Sequence, residues 1–182
     1  MRVRAFKALR PEPRVAHQVA SPPYDVVTRE EARRLCQKNP LSMLRVIRAE
    51  VDLPDETDPF SDEVYSKAAR NFAHFVERGY LIRDEEPCLY LYQLEMGSHR
   101  QVGIAALCHI EDYGDNLIKQ HELTTPAKEN DRTRLSSELS ANPGPVFLAY
   151  HARDEIDELV HRITQAPPLY EFRSEDSIRH TV

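Results

Sequence analysis

Glycine is scarce in this sequence, at five of 182 residues. No GxxxxGK[ST] run occurs, which excludes a Walker-type phosphate loop, and so few glycines leave no glycine-rich cradle of another kind. A GxSxG nucleophile elbow is also missing. Cysteine is rarer still: Cys36, Cys88 and Cys108 are scattered, odd in number and form no CxxC. That excludes a zinc ribbon or a disulfide framework and leaves three buried thiols as the plain expectation. No apolar run approaches the roughly 20 residues of a membrane span. The N-terminus, MRVRAFKALRPEP, is charged but has no apolar signal core, so a cytoplasmic address is expected, without membrane attachment. Basic residues are outnumbered, 24 Lys and Arg against 30 Asp and Glu, for a net charge of -6. That balance argues against a broad nucleic-acid footprint.

What is present reads as a globular chain, with 41% apolar and 30% charged residues, expected to form one α+β domain over residues 1–182. Val3 and Ala5 sit in a short basic strand that Pro11 and Pro13 end. Thr28 with Glu31 forms a capping box, so a helix starts there and runs to about Lys38, where Asn39-Pro40 stops it. Residues 43–49 alternate apolar and basic side chains as a strand would. Residues 51–60 read as a solvated acidic loop. Tyr65, Ala68, Ala69, Phe72, Phe75 and Val76 recur at helical spacing before Gly79, and as core rather than as a cofactor box. Residues 88–94 and 101–110 form a hairpin about Met96-Gly97-Ser98. A helix opens at Pro126, a strand is expected at 145–151, and an amphipathic helix at 153–165. The expected fold is a mixed sheet, built largely from the hairpin and the Val146 strand, packed on the helices at 62–79 and 153–165. Residues 169–172 and 178–182 read as short strands, the second ending inside an apolar pattern. An unpaired strand there is expected to seek a partner, leaving open a homodimer through an incomplete sheet edge.

The stretch richest in chemistry is 118–134, IKQHELTTPAKENDRTR. Thr125 before Pro126 reads as an N-cap followed by proline at the first helical position. The amides of that helix start favour anions and would lie beside His121 and Glu122. A zincin reading fails because Thr125 stands where the second histidine is needed, and His109 and His121, separated by a loop, suggest no metal site. Glu122 is plainly read as a solvated carboxylate. The sharper reading is a general base, since it abuts a histidine, a helix start and the hydroxyls of Thr124 and Thr125. Asp131 and Arg134, three apart, are expected to pair on the helix surface. Pro22-Pro23 keeps its segment extended. The plain reading is a rigid connector, and the sharper one holds Tyr24 and Asp25 at a site.

Two resemblances rest on these residues. Ser21-Pro22-Pro23-Tyr24-Asp25-Val26-Val27, Asn39-Pro40, Gly103-Ile104, His121-Glu122 with Thr124, Asp131-Arg132, Asn142 and Pro145-Val146-Phe147 resemble the N-terminal part of domain-of-unknown-function family ten-fifteen, across most of the chain. The His-Glu, Thr-Pro and charged-helix succession is also similar to ParB-like free-serine kinases. That second resemblance implies a fold that is ParB/sulfiredoxin-like in part, and Glu122 as the base with His121 orienting it. It implies Arg132 as a phosphate or substrate contact, and ATP or ADP with magnesium as cofactor; Thr124 and Thr125 by the helix start, and Tyr24 and Asp25 in the proline-held loop, are expected to contact the same substrate. Family members are expected to run on to an Asp-Gly-His-His-Arg phosphate segment that this sequence lacks. The expected function is thus the base-contributing N-terminal portion of a nucleotide-dependent phosphotransferase acting on a small, free-serine-like molecule. The alternative is a non-catalytic ligand-binding or protein-interaction module.

Overall fold

The computed structural model describes residues 1–121 and 123–182. From the N-terminus come β1 (Val3–Arg4), β2 (Leu9–Pro11), α1 (Ala16–Val19), α2 (Arg29–Lys38), α3 (Leu44–Ile47) and α4 (Asp62–Glu77). Strands β3 (Leu81–Arg83), β4 (Tyr90–Met96), β5 (His99–Ala105) and β6 (Leu107–Cys108) follow, then α5 (Ile110–Gly114), α6 (Pro126–Leu139) and α7 (Asp154–Ile163). The chain closes with β7 (Glu171–Arg173) and β8 (Arg179–Thr181). This is an α+β fold, and no described helix is long and apolar enough to cross a membrane. Two compact units form: one from Met1–Ala8, Asp84–Leu117 and Gly144–Val182, the other from Leu9–Arg83 and Ile118–Pro143.

The second unit is mainly helical. The Thr28–Glu31 capping box forms on both sides, so α2 starts where its sequence says. Gly79, in the left-handed region at φ 71°, follows the end of α4. Val64, Tyr65 and Ala68 of α4 meet Val46, Ala49, Leu135 and Leu139 in one cluster, and Ala32, Cys36, Leu44 and Val51 form another. Residues 43–49 are a correction: they are not a strand but α3, running into a 3-10 turn at Ala49–Asp52. Arg48 ends α3, and its partners differ from those of Arg45. Arg45 donates to the Cys36 carbonyl at 2.7 Å and pairs with Asp52.

The acidic segment after this turn is not merely solvated. Arg29 donates to the carbonyls of Asp55 (2.9 Å), Thr57 (3.1 Å) and Pro54 (2.8 Å). Arg33, one turn on, donates to those of Val51 (3.1 Å) and Leu53 (2.7 Å) and pairs with Asp55. Two arginines of α2 therefore satisfy the backbone of a segment that has no ladder of its own.

In the first unit a four-stranded sheet runs β5-β4-β8-β7, and every described strand pairing of the chain is antiparallel rather than mixed. The hairpin forms as its alternation requires, with Tyr92 opposite Gly103 and Met96 opposite His99. One face carries a charge ladder, Arg100–Glu95 (4.0 Å), Glu95–Arg179 (3.6 Å) and Arg179–Glu171 (3.9 Å). Three expectations fail here. Residues 145–151 form no strand, and Val146 and Phe147 are 79% and 78% exposed; prolines at 143 and 145 remove ladder donors. The 178–182 strand is no open edge, because β8 is paired on both sides, by β4 and β7. Its missing neighbour lies just upstream in the same chain, which removes the stated basis for pairing copies there. Of the cysteines only Cys36 is buried, its thiol pushed up to about 11 chiefly by burial, while Cys88 and Cys108 are exposed.

Helix α4, expected against the hairpin sheet, belongs to the helical unit and packs there on α3, α6 and the Ala49–Asp52 turn. Helix α7 has no buried residue.

On the other sheet face His180 stacks on Phe172, with ring centroids 4.8 Å apart. Ser174 Oγ lies 2.5 Å from Asp176 Oδ1 and 3.0 Å from His180 Nε2. A hydroxyl has one proton, and the charged carboxylate is the nearer acceptor, so Nε2–H donates to Ser174 and Nδ1 accepts from the Tyr92 hydroxyl at 2.6 Å. Burial holds His180 below its ordinary 6.5, and Asp176 opposes only part of that. A histidine depressed in the folded state favours the fold above the unfolded value and loses that contribution as pH falls through the folded value. Denaturant unfolding followed from about pH 7.5 to about 5 should show stability falling on acidification, and His180→Gln should flatten the profile. An unchanged slope in the variant would refute the assignment.

Candidate functional site

Within the helical unit, the loop before α2, the end of α3 and the first turns of α6 enclose a half-open cleft of about 360 Å³. Its floor is apolar, from Val46, Val64, Ala68 and Leu135, and Pro59 and Phe60 stand beside it. Its polar residues are Tyr24, Asp25, Arg48, Glu50, Tyr65, Lys128, Asp131 and Arg132.

Most of these charges are already matched. Arg132 donates from Nε and Nη2 to Asp131 Oδ2 at 2.9 and 2.5 Å, and its guanidinium lies 4.2 Å from the centre of the Tyr24 ring. The Tyr65 hydroxyl donates to the other Asp131 oxygen at 2.7 Å. Burial first, then this carboxylate, pushes Tyr65 up to about 12, so it stays a neutral donor. Arg48 pairs with Glu50 at 2.6 Å, and Glu50 is only 5% exposed. The expected Asp131–Arg134 surface pair is a correction. Arg134 pairs with Asp62 and lies over the Tyr65 ring at 4.1 Å, while Asp131 turns inward to Tyr65 and Arg132. With α4 packed alongside α6, Tyr65 lies between the two, its hydroxyl on Asp131 and its ring under Arg134.

Two charged side chains of the cleft have no hydrogen bond or ion pair among the described residues: Asp25, in the turn after Pro22-Pro23, and Lys128, in the first turn of α6. Both are exposed, so water satisfies them in the free chain, and a small molecule carrying both charges would replace that water beside the apolar floor. The cleft suits a nucleotide polyphosphate poorly, because its arginines are already held by carboxylates and only Lys128 is left to meet several negative charges. Among the described residues no group of His, Cys, Asp and Glu is arranged to hold a metal ion.

The residues expected at a site are thus partly gathered. Tyr24, Asp25 and Arg132 line the cleft. His121, Thr124 and Thr125 are exposed and are not among its described lining residues. Thr125 takes the N-cap position and Pro126 follows at the helix start, but the Thr125 side chain makes no capping bond, and Thr124 donates to Glu129 at 3.3 Å instead. Glu122 lies outside the described residues. Sequence reasoning missed Arg48, Glu50, Tyr65 and Lys128. Arg48 and Glu50 were hidden by reading their segment as a strand and a loop, and Tyr65 by counting it as core alone. Lys128 gives no signal apart from its place beside Pro126.

No curated protein and no solved structure gives a significant match to the chain. One family model does match, over residues 3–182, and it carries the description protein of unknown function (DUF1015). A match spanning nearly the whole length shows membership: this chain belongs to the DUF1015 family.

Proposed function

We propose that the cleft binds a small zwitterionic molecule, and that the chain does so as the acceptor-binding part of a phosphotransferase acting on a free-serine-like substrate. The observation carrying this reading is the pair of unmatched opposite charges, Asp25 and Lys128, on one apolar-walled cleft whose other described charges are matched. An ammonium would meet Asp25 and a carboxylate Lys128, with Tyr24 and the Arg132–Asp131 pair fixing the remainder. Glu122, four residues before Pro126, would take the proton of the reacting hydroxyl. ATP or ADP with magnesium would supply the phosphoryl group. The cleft itself fits the acceptor rather than that nucleotide. The second reading, a non-catalytic ligand-binding module, is favoured by the exposure of His121 outside the cleft. It shares the same cleft and the same ligand contacts.

Titration calorimetry and thermal shift with L-serine, and separately with ATP–magnesium and ADP–magnesium, test the proposal. L-serine is expected to bind saturably, and Asp25→Asn and Lys128→Met each to weaken it by about tenfold or more, the loss of one charged hydrogen bond. Failure of L-serine to bind up to millimolar levels, or unchanged affinity in both variants, would overturn it.

A further inference from the structure

We infer that Arg48 is a positioning residue of the cleft, holding residues 21–27 as a strap that keeps Tyr24 and Asp25 at its edge. Its use in ligand binding rests on the function proposed above. The strap has little packing of its own. Pro23, Asp25 and Val26 are exposed, and only Val27 packs on a buried cluster. Its internal bond is a single turn contact, Val26 N–H to the Pro23 carbonyl at 3.3 Å. What fixes it is one guanidinium: Arg48 Nη1 donates to the Tyr24 carbonyl at 2.7 Å and to the Val27 carbonyl at 2.9 Å. The two accepting residues bracket Asp25, so these two bonds set the direction in which the turn faces.

Glu50 makes this possible. Its buried carboxylate takes Arg48 Nε at 2.6 Å and so orients the fork from behind. On the far side the Tyr24 ring rests on Arg132, whose own charge Asp131 holds. The strap is thus tied at two arginines, each matched by its own carboxylate, so neither tie leaves a charge unmatched. Arg48 reaches Glu50 from Nε and both carbonyls from Nη1, whereas lysine has one nitrogen and cannot occupy both positions at once.

The test uses two variants. Arg48→Lys retains a charge for Glu50. The double variant Arg48→Met with Glu50→Gln removes both charges together, so no buried carboxylate is left alone to unfold the chain. Amide hydrogen exchange of Val26, whose N–H bonds to the Pro23 carbonyl, reads the strap directly in ligand-free protein. L-serine affinity, measured well below the melting temperature of each variant, reads the site. Exchange is expected to rise by about tenfold or more in both variants, with L-serine affinity falling by a similar factor, as loss of bonds to a charged donor implies. A purely stabilising role for Arg48 would lower the melting temperature but leave both readouts unchanged, and would overturn the inference. Affinity that holds while exchange rises would also overturn it. If exchange rises but wild type binds no L-serine, the strap assignment stands and the proposed function falls.

Discussion

In the full-length protein, and on the function proposed above, replacing Glu122 with glutamine should lower phosphoryl transfer by about 10²–10⁴-fold, with the fold and the affinity for L-serine nearly unchanged. Glutamine keeps the size and one acceptor oxygen but cannot take a proton at neutral pH. The same assay run on two neighbours separates roles. His121→Asn should give an intermediate loss, because it removes an orienting group and leaves the base. Surface pairing with Arg134 would make Asp131→Asn almost silent. The structure changes that expectation, since Asp131 holds both the Tyr65 hydroxyl and the Arg132 guanidinium. Its loss should free Arg132 and alter KM more than kcat, the mark of an interaction made equally with substrate and transition state. Melting temperatures serve as the folding control. Full activity in Glu122→Gln would remove the base assignment. A base elsewhere, such as Asp25, would then be the better reading, whereas absence of transfer in the wild type would leave the non-catalytic module.

The largest effect on stability should come from Leu135→Ala. Leu135 is 3% exposed, sits in the cluster that joins α3, α4 and α6, and also forms part of the cleft floor. Truncation removes transfer free energy and leaves a cavity that the packed helices only partly fill, a loss of about 2–5 kcal/mol. Leu159→Ala is the matched control. That leucine is on α7, 40% exposed, with no buried residue on its helix, and its truncation should cost no more than about 0.5 kcal/mol. Urea unfolding of both variants against wild type measures the difference. Similar losses at the two sites would contradict the placement of the core in the helical unit.

The sequence by itself determined the elements whose causes are local. The Thr28–Glu31 capping box needs only residues three apart, and it formed. The 90–105 hairpin needs alternation and a turn with Gly97, which takes φ 60°. Helices α4 and α6 need apolar spacing and, at α6, proline at the start. Tyr24 and Asp25 could be named as candidates because paired prolines mark their segment, and Arg132 because of the kinase resemblance; all three line the cleft.

The tertiary structure decided what depends on partners distant in sequence. Whether residues 43–49 alternate as a strand or turn as a helix rests on where Arg45 and Arg48 find acceptors. Those acceptors lie at Cys36, Asp52, Tyr24 and Val27. Whether 178–182 is an edge rests on β4, some 80 residues earlier, taking the side that β7 leaves open. Asp131 could not be seen turning inward without α4 beside it to offer the Tyr65 hydroxyl. A guanidinium or a carboxylate reaches several ångströms from its backbone and bonds to whatever packing brings within range. Its partner is therefore a property of the assembled unit, whereas a cap or a two-residue turn is a property of its own few bonds.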